Sequence, residues 1–110
     1  MADDTQTDVD THFWRLAEPL LQRPEVTRST MMGFPCLRVD GKYFASVGKK
    51  EKGAILKLPR QRVEVLIAEE VGDPFAPAGK VFREWILVPV SNLAHWEALM
   101  NEALAFVAKG

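Results

Sequence analysis

Eight cationic side chains lie between residues 38 and 62: Arg38, Lys42, Lys49, Lys50, Lys52, Lys57, Arg60 and Arg62. Only Asp40 and Glu51 oppose them, so this stretch carries a local excess of six positive charges in a chain whose net charge is -1. Ammonium groups at that density on one hairpin suit consecutive phosphates, the footprint of sequence-tolerant nucleic-acid binding. Arg38 and Arg60 can add bidentate phosphate contacts, although nothing in the stretch specifies a base. Lysines also sit at hairpin tips and sheet edges to keep them soluble, and both readings stay open at this point.

Other candidates for chemistry are weaker. Cys36 is the only cysteine, and neither His12 nor His95 lies in a cysteine-hydrolase context, so it reads as a small apolar residue. The histidines lack metal-site spacing, and no metal, cofactor or catalytic residue is assigned. Residues 48–53 begin and end with glycine but continue into Ala54-Ile55, where a phosphate loop needs Lys and then Ser or Thr. Glu64, Glu69 and Glu70 read as the solvated face of a helix.

The elements that must position the cations follow from period and punctuation. Asp40-Gly41 between apolar runs marks a two-residue β-hairpin. With such a loop Val39 faces Lys42, Leu37 faces Phe44 and Cys36 faces Ala45. Leu37 and Phe44 then share one face, and Cys36, Tyr43, Ala45 and Val47 the other. A second turn at residues 48–53 carries Lys49, Lys50 and Lys52 and leads to a third strand in which Ala54, Leu56 and Leu58 alternate with Ile55 and Lys57.

Around this meander, residues 1–9 read as a flexible acidic tail. A helix follows from Asp10 or Thr11, with Pro19 inside it and Pro24 at its exit. Pro59 suits the first turn of a middle helix that runs to about Val71 and stops at Gly72. Residues 73–79 form a loop or a short edge strand at Phe75, and residues 81–90 a further strand. Ser91 or Asn92 caps a last helix carrying Leu93, Trp96, Met100, Leu104 and Val107.

The predicted fold is therefore α+β: one domain, residues 10–110, with an antiparallel sheet of about five strands. Its helices lie N-terminal, middle and C-terminal in the order α-β-β-β-α-β-β-α. At 110 residues and 47% hydrophobic content the chain suffices for one core. A single cysteine suits a reducing cytoplasm. The N-terminus lacks the basic-then-apolar layout of a secretory leader, and no stretch has the length of a membrane span.

Met31-Met32-Gly33-Phe34-Pro35, the run from Leu37 through Val39-Asp40-Gly41-Lys42-Tyr43-Phe44-Ala45, Ile55-Leu56-Lys57 and the late Trp85 together resemble the MmcQ/YjbR family. They are also similar to the N-terminal domain of TfoX-type competence regulators. The resemblance covers about residues 26–108. It implies a compact α+β domain and, since members are commonly labelled DNA-binding, nucleic acid as a partner, while the lack of a catalytic signature leads to the expectation of a domain that is not an enzyme. Gly33, Gly41, Lys42, Phe44, Lys57 and Trp85 match signature positions. Most of these are structural by implication, glycines for turns and rings for the core. The alternative expectation is a protein-interaction or homodimer module using an exposed sheet face or edge.

Overall fold

A computed structural model describes residues 4–31, 34–48 and 52–109. The chain runs α1 (Asp4–Leu21), β1 (Val26–Met31), β2 (Phe34–Val39), β3 (Lys42–Gly48), β4 (Gly53–Lys57), α2 (Arg60–Ala68), β5 (Asp73–Phe75), β6 (Phe82–Pro89), a 3-10 segment (Val90–His95) and α3 (Trp96–Lys109). The strands form one antiparallel sheet in the order β1-β2-β3-β4-β6-β5. Helices precede, interrupt and follow the sheet, the α+β arrangement that the periodicity predicts.

The sheet has six strands where about five are predicted. The addition is β1, whose sequence Val-Thr-Arg-Ser-Thr-Met carries little apolar alternation because it is an edge strand. Arg28 on β1 instead lies 4.1 Å over the Trp14 ring of α1, a cation–π contact that joins strand to helix. At the opposite edge β5 is the short strand expected at Phe75, and Pro74 limits its pairing.

The acidic tail is corrected in part. α1 begins at Asp4 rather than near Asp10, and Val9 is fully buried. Val9, Phe13, Ala17 and Leu20 fall on one helical face and join the core cluster. The single apolar residue among Thr and Asp neighbours gave too little periodic signal to extend the helix backwards. Pro19 stays within the helix, on its exposed side, two residues before the end.

At the Asp40-Gly41 turn both residues have positive φ, 53° and 82°, the pattern of a type I′ hairpin turn. Val39 pairs with Lys42 as expected and Arg38 with Tyr43, but the register then shifts, so that Leu37 pairs with Ala45 and Cys36 with Ser46. The extra residue is Phe44, a β-bulge. Phe44 and Ala45 are both fully buried, and Ala45 and Val47 join Leu37 in the core rather than lying on the opposite face. The bulge thus overturns the simple alternation expected beyond Tyr43.

One core results, in which Phe13, Leu37, Val39, Phe44, Leu56 and Trp96 are among the buried side chains. The other sheet face carries Cys36, Arg38, Tyr43, Ser46, Ile55, Lys57 and Trp85, as their pairings require. Ser46 is buried there and its hydroxyl donates to the Pro35 carbonyl at 2.8 Å. The Tyr43 hydroxyl donates to the Thr30 carbonyl at 3.2 Å.

Asn92 does not cap α3. It lies in the 3-10 segment with φ -110° and ψ 33°, and α3 starts at Trp96. Its side-chain amide donates to the carbonyls of Val71 (2.7 Å) and Glu70 (3.3 Å). These carbonyls follow the end of α2, so the amide serves the exit of one helix instead of the entry of the next.

A cationic and aromatic cleft at one end of the sheet

The hairpin connectivity divides the basic stretch between two ends of the sheet. β3 runs over seven residues from Lys42 to Gly48, a length of about 20 Å at strand rise. Lys42 and Lys57 lie at the end where β3 begins and β4 finishes, whereas Lys52 precedes β4 at the opposite end. Lys52 is exposed with φ 55°. Lys49, Lys50 and Gly33 fall outside the described residues.

Two further cations are committed to carboxylates. Arg62 donates through Nε and Nη2 to both oxygens of Glu102 at 2.9 and 3.1 Å, a fork that ties α2 to α3. The hydrogen bond to Glu102 holds the Arg62 pKa above its ordinary value. Arg60 pairs with Glu64 one turn along α2 at 3.2 Å. Both pairs are largely exposed, so each adds little to stability. A fork already filled by a carboxylate is a poor phosphate ligand.

The remaining cations cluster with aromatic rings. A cleft of about 340 Å³ at the Lys42 end is lined by Lys42, Tyr43, Lys57, Trp85, Phe106 and Val107. Lys57 pairs with Trp85 across β4 and β6, its Nζ 5.8 Å from the ring centroid and 4.0 Å from Glu84 Oε1. Lys42 is exposed and has no ion-pair partner among the described residues. Beside the cleft the Arg38 guanidinium lies 4.6 Å over the Tyr43 ring, and its Nε is buried without an acceptor. Trp85 is half-buried, as is Tyr43.

Of the residues on which the sequence resemblance rests, Gly41 serves the turn and Phe44 the core, while Lys42, Lys57 and Trp85 meet at the cleft. Tyr43, Glu84 and Phe106 are members of the site that sequence reasoning did not select. Tyr43 lies on the outward face that the regular hairpin register gives it but reads there as an ordinary packed ring, and Phe106 fits the apolar stripe of α3 equally well as a core residue, so neither carried a separate signal.

Cys36 is fully buried, and desolvation pushes its thiol pKa up, opposed by the positive charge of Arg38. A protonated, enclosed thiol is a poor nucleophile. Alkylation by iodoacetamide at neutral pH is therefore expected to be slow in the folded protein and rapid in denaturant, as followed by mass spectrometry; equal rates would show that Cys36 is accessible. Among the described residues no group of three or more His, Cys, Asp and Glu side chains could hold a metal ion, and no helix is long and apolar enough to cross a membrane.

No family model, curated protein or solved structure matches the chain.

Proposed function

We propose that this chain is a small, non-enzymatic domain of the MmcQ/YjbR type, working in the cytoplasm, that holds nucleic acid by phosphate attraction at the Lys42–Lys57 end of its sheet. The observation that supports this reading is the cleft itself. Two lysines border it beside the half-buried rings of Tyr43, Trp85 and Phe106, while the arginines of α2 are occupied by carboxylates. Lysine is a mobile point charge that accepts phosphates in many positions, so binding is tolerant of sequence. Lys52 lies toward the other end of β3, apart from this cleft.

Fluorescence anisotropy at low salt, with labelled duplex and single-stranded oligonucleotides, tests the proposal. Replacing Lys42 and Lys57 together by glutamine is expected to weaken binding about fivefold to tenfold and to reduce the salt dependence by about two released counterions. Lys52→Gln is expected to have the smaller effect. Absence of binding by the unsubstituted protein, or affinity unchanged in the double variant, would overturn it.

One observation favours a second reading, a homodimer or protein-interaction module. Val81 and Phe82 are 47% and 42% exposed beside the edge strand β5, and the Phe82 ring lies 5.9 Å from Phe75. Isolated exposed apolar residues are ordinary on a surface, and β5 presents only three residues for pairing. Sizing chromatography across a range of concentrations separates the two readings, since self-association through this edge would raise the apparent mass with concentration.

A further inference from the structure

We infer that the cleft receives a single unpaired nucleotide, its base against Trp85 and Tyr43 and its phosphate between Lys42 and Lys57. This rests on the phosphate-attraction reading above and names the ligand that the same site selects. A volume of about 340 Å³ lies at the small end of the roughly 300–1,000 Å³ of small-molecule sites. It suits one planar ring with its sugar and not a helical segment. The lining matches such a ligand in both parts, because half-buried Trp85 and Tyr43 offer aromatic surface and the two ammonium groups offer charge.

Each cation is available for the purpose. Lys42 has no ion-pair partner among the described residues, and the Lys57–Glu84 separation of 4.0 Å is the outer limit of an ion pair between two solvent-reached side chains. A phosphate can take over Lys57 without breaking a close contact. Tyr43 is held from two sides, by its hydroxyl bond to Thr30 and by the Arg38 guanidinium over its ring. The ring is thereby fixed before a ligand arrives, and the cost of ordering it on binding is small. Arg38 places positive charge against that ring as well, which strengthens attraction toward an electron-rich base stacked nearby.

Duplex nucleic acid cannot use this arrangement. Its base faces are occupied by their neighbours, so the rings can reach only an unstacked base, and a duplex presents the lysines with backbone alone. The cleft therefore discriminates single strands from duplexes without reading sequence. The same chemistry is offered by a free mononucleotide, and the two sources are separable in one experiment.

The test uses the full chain with four ligands: oligothymidylate, the same strand annealed to oligoadenylate, thymidine 5′-monophosphate, and thymidine as the phosphate-free control. Binding is followed by anisotropy for the labelled strands and by tryptophan fluorescence for the small ligands. Single strands are expected to bind about tenfold or more tightly than duplex. Trp85→Ala should weaken single-strand binding about fivefold to a hundredfold, in line with stacking losses on alanine substitution, and leave duplex binding unchanged. Trp85→Phe, which keeps a ring and guards against a folding defect, should retain most of the single-strand affinity. Thymidine 5′-monophosphate binding with no binding of either polymer would support the cleft ligand and assign it to a free nucleotide, while overturning the nucleic-acid reading. Equal affinity for strand and duplex, unaffected by Trp85→Ala but dependent on Lys42 and Lys57, would overturn this inference and leave phosphate attraction standing. Failure of all four ligands would overturn both.

Discussion

Replacing Trp96 by alanine is expected to lower stability by about 3–5 kcal/mol, the usual range for removing a large aromatic ring from a core. Trp96 is the first residue of α3 and is fully buried. Its indole N–H donates to the Val88 carbonyl of β6 at 3.1 Å. The substitution removes the ring that seats α3 against the sheet and leaves that carbonyl without this donor, which adds about 1 kcal/mol where water does not replace it. Against a total of about 5–15 kcal/mol for an ordinary domain, the loss is a large fraction. Urea denaturation checks it, through a lower midpoint at nearly unchanged slope. Trp96→Phe should fall between the two, since it restores most of the volume but not the donor. A shift below about 1 kcal/mol for alanine would mean that the core collapses to refill the space.

The second large effect is expected at Gly53. A β-carbon there would lie 2.5 Å from the Val88 carbonyl oxygen and 2.9 Å from the Pro89 Cα, both backbone atoms. Gly53 opens β4 and pairs with Gly48 on one side and Pro89 on the other. Side-chain rotation cannot relieve such a clash, so β4 and β6 must separate at this end. Gly53→Ala is expected to cost at least the 1–3 kcal/mol typical of overpacking. Thermal unfolding checks this, and a melting temperature within a degree or two of the parent, on the order of a small surface change, would show that the strands part without strain. The nucleotide binding proposed for the Lys57 end should persist in any folded fraction, because the disturbance lies at the opposite end of β4.

Gly53 also shows where sequence reasoning reached and where it stopped. The glycine reads locally as turn punctuation, yet it belongs to a strand and is small because another backbone approaches it, a fact of tertiary packing. The helices before, within and after the sheet were legible because their apolar residues recur at helical spacing, as in Trp96, Met100, Leu104 and Val107. The Asp40-Gly41 turn was legible because two successive positive φ values demand such residues. β1 was not, since an edge strand of Thr, Arg and Ser displays little alternation. The site was readable only in part. The run of cations was visible, but its division between the two ends of β3 follows from strand direction, and the commitment of Arg62 to Glu102 joins residues forty positions apart. Tyr43 lies on the outward face in the regular hairpin register, but its meeting with Phe106 of α3 at the cleft is a matter of tertiary packing.

The register shift at Phe44 also bears on how the chain can vary over evolutionary time. Upstream of the bulge β3 sends Tyr43 outward, and downstream the outward residue is Ser46. An insertion or deletion of one residue between them would exchange the two faces of half the strand, bringing Ser46 into the core and Val47 out of it. Individual side chains here can drift within their size and polarity, but the number of residues from the hairpin turn to the end of β3 cannot. Divergent descendants of this chain should therefore differ in β3 by substitution and keep its length, placing their gaps in the connections instead.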